Sequence, residues 1–220
     1  MSHRTALLLG ATGLVGGHCL NFLLNDEAYG TVSVLGRRPL AREHPKLEQH
    51  VVDFDHLEGF ADLIRAHDVF CCLGTTIRKA GSQEAFRRVD FEYPYQSARI
   101  AARQGAERFL IVTAIGADPG SRIFYNRVKG EVEEAVKALS FGSVVILRPS
   151  LLLGEREELR LGERLAEPVM RVVSPLMLGP LRRYRPVPSR KVAAAMVRLA
   201  KEEGQGVRIV ESDEIVRIAS

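Results

Sequence analysis

Tyr125 and Lys129 are the two residues whose types and spacing point most directly to chemistry. Side chains four residues apart on a helix lie on the same face, so the phenol and the ammonium are expected to be neighbours. A free tyrosine ionises near pH ~10, and a nearby positive charge favours its phenolate. Thr113, at the end of a predicted strand, adds a hydroxyl that can hold a carbonyl oxygen. The three residues predict proton transfer to a substrate carbonyl. The alternative is an ordinary surface pair on an amphipathic helix.

A glycine-rich turn near the start of the chain predicts a second site. The apolar run 6–9 ends in three glycines spaced three apart, and apolar residues then resume at helical spacing. Such a turn aims backbone N–H groups and the positive end of the helix dipole at one spot, where a pyrophosphate fits. The alternative is a strand–helix turn that needs glycine only for its backbone angles. The residues expected to form this dinucleotide site are Gly10, Thr12, Gly13, Leu14, Val15 and Gly16.

Arg37 and Arg38 follow the second predicted strand. At this position NAD-binding proteins of the same fold usually carry an acidic residue that accepts the ribose 2′-hydroxyl. A carboxylate would repel a 2′-phosphate, whereas guanidinium groups pair with it. The sequence therefore predicts NADP(H) as the cofactor. The alternative is two solvated arginines on a loop.

Further cofactor contacts are expected at the ends of other strands. Asp53, followed by Phe54, would lie at the adenine edge and accept from the adenine amino group, or else be a turn-forming aspartate. Small residues after the fourth strand would let the backbone approach the phosphates and ribose. Lys79 would reach a phosphate or the substrate, or else be solvated. The remaining expected contacts are Leu73, Gly74, Thr75, Thr76, Lys129 and Pro149.

The elements that must position these residues alternate between strand and helix. Alternation at this spacing predicts an α/β fold: a single Rossmann-like, doubly wound parallel sheet of order 3-2-1-4-5-6, with a seventh strand and helices on both faces. The expected strands are 5–10, 31–36, 50–53, 68–74, 108–113, 143–148 and 206–210. The expected helices are 14–25, 57–66, 82–104 with a break near Pro94, 122–139, 155–174, 190–203 and 212–219.

Length and composition narrow the class of protein. The 220 residues suit one domain, 1–220, with residues 150–190 as a small lobe on the substrate side. The net charge of +4 suits a protein that handles anionic small molecules and does not indicate nucleic acid. The three cysteines have no spacing suited to zinc or to a disulfide framework, so no metal is expected. With no signal peptide and no apolar run of ~20 residues, the chain is expected to be cytoplasmic, without a membrane partner.

These motifs together resemble the short-chain dehydrogenases/reductases. More closely, they resemble the atypical branch typified by the Tat-interacting-protein (metastasis-suppressor) family and its bacterial relatives. The most specific stretches are Cys-Cys-Leu-Gly-Thr-Thr at 71–76 and Val-Lys-Gly-Glu-Val-Glu at 128–133. The resemblance covers nearly the whole chain and implies NADPH binding. Family members tend to have two serines and a lysine at positions 113–115, so the second hydroxyl is missing at Ala114.

The leading functional prediction is an NADPH-dependent oxidoreductase that acts on a small carbonyl compound. Tyr125 would be the proton donor, Lys129 would tune the phenol and hold the ribose, and Thr113 would clamp the carbonyl. One alternative is a regulatory or redox-sensing protein that holds NADPH without turnover. Another is a sugar-nucleotide epimerase, which is less favoured because only about 70 residues follow the sixth strand. A homodimer is compatible with each.

Overall fold

Nine strands lie in the residues that the computed structural model describes, 3–153 and 183–220. They are β1 (Arg4–Leu9), β2 (Tyr29–Gly36), β3 (Leu47–Val51), β4 (Asp68–Cys71), β5 (Arg108–Val112), β6 (Ser143–Arg148), β7 (Leu152–Leu153), β8 (Val187–Pro188) and β9 (Gly206–Glu211). Seven of them form one parallel sheet in the order β3-β2-β1-β4-β5-β6-β9. The predicted strand order is confirmed, and β9 is the predicted seventh strand. The short strands β7 and β8 pair separately.

Helices cover both faces of this sheet. In chain order they are α1 (Leu14–Asn25), α2 (Ile77–Ala80), α3 (Gln83–Arg87), α4 (Tyr93–Arg103), α5 (Phe124–Lys137), α6 (Ser189–Leu199) and α7 (Ser212–Ile218). A 3₁₀ segment occupies Phe54–Leu63, and a single π-helical turn occupies Arg88–Glu92, between α3 and α4.

Two apolar cores, one on each face, hold the sheet between the helices. Leu8 enters the core that includes residues of α1 and α6, whereas Leu7 and Leu9 enter the core that includes residues of α4 and α5. Side chains alternate between the faces of a strand, so a strand covered on both sides is apolar throughout. The strand ends are therefore fixed from both sides and form a stable base for a site.

Two strand boundaries differ by three residues from the sequence predictions. Strand β4 ends at Cys71 rather than at residue 74, because the chain turns where the Cys72 carbonyl lies against the glycine-rich turn. Strand β3 covers Leu47–Val51 rather than 50–53, because this stretch pairs in register with Val32–Gly36 of β2.

The helices after β3 and β4 also differ from the predictions. The helix predicted over 57–66 is the 3₁₀ segment, which begins earlier because the Asp53 side chain caps it. The loop predicted over 75–81 contains α2, which Thr76 caps. The helix predicted over 82–104 is interrupted by the π turn just before Pro94. Pro94 lies in the first turn of α4, directly after the π turn.

The helix predicted over 155–174 lies outside the described residues, as does most of the lobe predicted over 150–190. Within the two described ranges, no helix is long and apolar enough to cross a lipid bilayer.

A buried carboxylate, Asp68, lies at the N-terminal edge of the sheet. It accepts hydrogen bonds from Arg4 Nε at 2.7 Å, from Tyr29 Oη at 2.9 Å and from Arg108 Nη1 at 3.3 Å. These groups satisfy one another, so this edge is structural. The predicted site residues lie at the opposite, C-terminal edge.

Candidate cofactor and active site

Close backbone contacts require glycine in the turn after β1. Gly10 has a φ of +82°, and a Cβ built on it would lie 2.5 Å from the Cys72 carbonyl oxygen. A Cβ on Gly16 would lie 2.1 Å from the Gly10 carbonyl oxygen. Real side chains do not tolerate such distances, so these two glycines allow the start of α1, the end of β1 and the turn after β4 to meet. The glycines are thus needed for this close packing and not for backbone conformation alone.

The N-terminus of α1 has the features of an anion-binding site. Gly13 is its N-cap and supplies no capping side chain, and the first turn carries no acidic residue. Thr12 is exposed, Gly13 and Leu14 are partly buried, and Val15 is buried in the core. The helix dipole and the first N–H groups are therefore presented at the C-terminal edge of the sheet, as a pyrophosphate requires. The residues at this helix N-terminus are therefore compatible with the binding of a dinucleotide.

Arg37 and Arg38 are both exposed directly after β2. The sheet order places β2 next to β1, so the two guanidinium groups follow the strand beside the glycine turn. This is the side on which the adenosine half of a dinucleotide is expected in such folds.

Asp53 and Phe54 are both occupied by local contacts. The Asp53 carboxylate accepts from Asp55 N at 2.9 Å, and its other oxygen lies 2.8 Å from His56 Nδ1. That hydrogen bond to His56 holds the pKa of Asp53 below its ordinary value. Phe54 is buried and its ring packs on Tyr93 at 5.3 Å. The turn-forming interpretation of Asp53 therefore matches its contacts, and adenine binding by this pair stays a prediction.

The turn after β4 passes close to the reactive pair. A Cβ built on Gly74 would lie 3.4 Å from Asp90 Oδ1 and 3.7 Å from Lys129 Nζ, so the Gly74 backbone lies beside both groups. Thr75 N donates to Asp90 Oδ2 at 2.8 Å. Leu73 packs on the core, the Thr76 hydroxyl oxygen caps α2, and Lys79 is exposed on α2. The backbone at Gly74 and Thr75 is thus the part of this turn that lies beside Lys129.

Lys129 is buried on α5 and forms an ion pair. Its Nζ lies 2.7 Å from Asp90 Oδ1, with the lysine side chain 6% exposed and the aspartate side chain fully buried. Burial acts to lower the pKa of Lys129, but the charge of Asp90 and the phenol of Tyr125 outweigh it and raise this pKa to about 12. The lysine is therefore charged at any physiological pH.

Tyr125 lies one helical turn before Lys129, as predicted, and is partly buried. Its ring packs on Phe86 at 5.4 Å, which fixes the direction of the phenol. The structure thus brings together Tyr125, Lys129 and the Gly74–Thr75 backbone.

Thr113 is turned toward a buried polar cluster. Its hydroxyl donates to Glu133 Oε1 at 2.6 Å, and Glu133 also accepts from Arg148 Nε at 3.1 Å. This hydrogen bond to Glu133 raises the pKa of Arg148 above its ordinary value. The one hydroxyl proton of Thr113 is therefore donated to Glu133. The role of Thr113 as a carbonyl clamp stays a prediction, and it requires the hydroxyl to donate to the substrate instead of to Glu133. Ala114, next in the chain, has no hydroxyl to offer.

A close contact at Gly130 sets the position of α5. A Cβ built on Gly130 would lie 2.2 Å from Pro119 N, and Asp118 N donates to the Asn126 carbonyl oxygen at 3.1 Å. The loop after β5 therefore lies directly on the helix that carries Tyr125. Pro149 is buried beside this loop, and its carbonyl oxygen accepts from Ile115 N at 2.9 Å.

Sequence reasoning missed Asp90 and the role of Glu133. Glu133 continues the spacing of four that begins with Tyr125 and Lys129, so it shares their face of α5. Asp90 is the one carboxylate in the buried series Phe86, Asp90, Pro94 and Ala98. An acidic residue on a buried helix face signals a partner, because an unpaired buried charge is costly. In the part of the chain that the structure describes, no three His, Cys, Asp or Glu residues group as metal ligands would.

The profile of the NAD(P)H-binding family matches residues 10–203, a range that includes the glycine turn and the Tyr125–Lys129 pair. The chain belongs to the NAD(P)H-binding family. This confirms a nicotinamide dinucleotide as the cofactor class, at the level of NAD(P)H.

Two kinds of relative in this NAD(P)H-binding family are informative. Protein HTATIP2 of Rattus norvegicus is 41% identical over 170 residues, which cover 76% of this chain and 70% of that protein. Protein FMP52, mitochondrial, of Debaryomyces hansenii is 30% identical over 223 residues, which cover 96% of each chain. The resemblance to the Tat-interacting-protein branch is therefore confirmed.

Solved structures with the same fold include MoeE5 in complex with UDP-glucose and NAD. It has a TM-score of 0.71 and 17% identity, and the match covers 98% of this chain and 80% of that one. The UDP-N-acetylglucosamine 4-epimerase of Methanobrevibacter ruminantium has a TM-score of 0.69 and 12% identity, covering 99% and 81%. At such identities the likeness shows the fold alone, and it confirms the Rossmann-like architecture.

The prediction of a cytoplasmic location is wrong. Relatives that match almost the whole chain, from Debaryomyces hansenii and Candida albicans, are named mitochondrial proteins. The prediction relied on the lack of a recognisable signal peptide and of an apolar run of membrane-spanning length. Neither feature distinguishes the cytoplasm from the interior of an organelle.

Proposed function

We propose that this NAD(P)H-binding protein is an NADPH-dependent reductase of a small carbonyl compound. The observation that carries the proposal is the placement of Lys129, a buried ammonium one turn from Tyr125 and beside the Gly74–Thr75 backbone. A lone surface pair would have neither the burial nor the neighbouring turn. When bound, NADPH supplies the hydride.

Each group in the proposed reaction has a defined task. The carbonyl carbon gains the hydride, the carbonyl oxygen gains the phenolic proton of Tyr125, and the tyrosinate takes a proton back from water. The ammonium of Lys129 carries three N–H donors and forms an ion pair with Asp90 at 2.7 Å. In the proposed reaction its donors serve the ribose and the phenolate that forms on Tyr125. With Thr113 bound to Glu133, the proposal assigns the carbonyl oxygen to Tyr125 alone.

The test is NADPH consumption with a panel of aldehydes, ketones and quinones. Steady oxidation of NADPH with at least one class, at a rate proportional to protein, supports a reductase. A binding protein without turnover is the second candidate, favoured by Ala114 and by the commitment of Thr113 to Glu133. Tight NADPH binding with no consumption across the whole panel would support that second function instead.

Arg37 and Arg38 are expected to select NADPH over NADH. Charge-assisted hydrogen bonds to the 2′-phosphate are worth ~1.5–3 kcal/mol, or roughly ten- to a hundredfold in affinity. In the double variant Arg37→Ala/Arg38→Ala, NADPH affinity should fall to that of NADH, while NADH affinity stays unchanged. Fluorescence titration of both nucleotides measures this.

The matched control for that variant is Arg42→Ala. Arg42 lies on the same loop and is hydrogen-bonded to Asn21. Its removal should leave both affinities as they are. Equal affinities of the unmodified protein for NADPH and NADH would refute the assignment of the two arginines.

A further inference from the structure

Asp90 is a fully buried carboxylate that connects two parts of the site. One oxygen accepts from Thr75 N at 2.8 Å, in the turn that follows β4. The other lies 2.7 Å from the Nζ of Lys129, on α5. The backbone expected to lie against the cofactor and the lysine expected to hold its ribose thus share one side chain.

We propose that Asp90 is a positioning residue that keeps Lys129 permanently as an ammonium beside the cofactor, so that Lys129 acts as a fixed charge and never as a proton relay. The proposal rests on the cofactor-binding half of the proposed function and does not require turnover. In the proposed reaction, the proton that restores Tyr125 then comes from water and not from Lys129.

The titratable groups that face Lys129 show why Asp90 is the group that stabilises its charged form. They are Asp90 from the π turn, Tyr125 from its own helix, and Cys71 from the end of β4. Burial raises the pKa of Cys71 to about 12, so this thiol is neutral near pH 7. Of these three groups, Asp90 is the one whose carboxylate oxygen lies within ion-pair distance of Lys129 Nζ, at 2.7 Å. Without Asp90, burial would lose the first-named of the groups that oppose it, and the pKa of Lys129 would fall.

The first experiment measures NADPH affinity from pH 7 to pH 10 in the intact protein and in Asp90→Asn. The intact protein should show no loss of affinity attributable to Lys129, because this lysine is charged throughout the range. In Asp90→Asn the pKa of Lys129 falls, so the ammonium is lost as pH rises and affinity falls with it, by about tenfold for one charged hydrogen bond.

Glu131→Gln is the matched control. Glu131 pairs with Arg87 and so joins α5 to α3, the helix that leads into the π turn, outside the site. This variant should keep the affinity and pH profile of the intact protein.

Lys129→Met separates positioning from general support of the fold. It should bind NADPH weakly and with no pH dependence, and adding Asp90→Asn to it should change nothing further. A purely structural role would instead make Asp90→Asn weaken binding by the same factor in both backgrounds. That result, or an Asp90→Asn variant with the pH profile of the intact protein, overturns the proposal.

A second measurement does not depend on how well Asp90→Asn folds. Lysine Cε resonances of the intact protein can be followed by NMR against pH, with Lys129 assigned from Lys129→Arg. The Lys129 resonance should not titrate below about pH 11, and titration below pH 10 would overturn the proposal. Because this readout needs neither cofactor nor substrate, it also distinguishes failure of the proposal from failure of the reductase function.

Discussion

Replacing Tyr125 by phenylalanine should lower the turnover of any accepted carbonyl by ~10²–10⁴-fold, the usual contribution of a general acid. The ring that packs on Phe86 is kept and only the hydroxyl is lost, so the fold should be unaffected. NADPH affinity should hardly change, because the cofactor is assigned to Lys129 and the glycine turn. Steady-state kinetics with the best panel substrate, together with a nucleotide titration, measure both quantities.

Tyr95→Phe is the control for this change. Tyr95 stacks on Phe91 at 5.9 Å and lies on α4. The same loss of a hydroxyl should leave turnover intact there. If Tyr125→Phe retained most of its activity, the proton donor would have to be another group.

Gly16→Ala should lower NADPH affinity by at least ~100-fold, because it disturbs two or more charge-assisted hydrogen bonds worth ~1.5–3 kcal/mol each. The new methyl would lie 2.1 Å from the Gly10 carbonyl oxygen, so α1 must move away from β1. The N–H groups at its start then no longer converge on the pyrophosphate. Overpacking of this kind should also destabilise the fold by about 1–3 kcal/mol.

Gly17→Ala is a control that differs by one position. A Cβ there would lie 3.5 Å from the Ala11 carbonyl oxygen, which is an ordinary contact. Alanine is the better helix former by ~1 kcal/mol, so this variant should be more stable and bind NADPH normally. The unfolding temperatures of the two variants should change in opposite directions, and nucleotide titration should show a loss of NADPH affinity in Gly16→Ala alone. Normal NADPH binding by Gly16→Ala would mean that the turn does not hold the pyrophosphate.

The sheet and the glycine turn could be predicted because their signals are local. Continuous apolar strands, the Gly10–Gly16 spacing and the four-residue spacing of Tyr125 and Lys129 each lie within a short stretch of chain. The start of the 3₁₀ segment and the whole of α2 were missed because side-chain caps define them. The capping residues, an aspartate at 53 and a threonine at 76, are residue types that are also common in turns.

The partners within the site could not be predicted, because they depend on contacts between distant residues. Asp90 precedes Lys129 by 39 positions, and the pairing appears only when α5 packs beside the π turn. Thr113 was expected to face a substrate, yet its hydroxyl donates to the buried carboxylate of Glu133. A hydroxyl at a strand end can turn either way, and its sequence neighbours do not decide which.

The π turn at Arg88–Glu92 makes the site sensitive to the length of the chain. Tyr93 N donates to the Arg88 carbonyl oxygen, one residue further back than in an α-helix. Deleting one residue here would remove the π turn and join α3 to α4 at α-helical spacing, in a helix in which Pro94 still donates no hydrogen bond. Each residue of such a helix turns it by about 100°, so residues before the deletion would rotate by that angle relative to Pro94 and Ala98. A homologue one residue shorter at this point could keep every site residue in its sequence. Its aspartate would nevertheless be rotated away from its lysine.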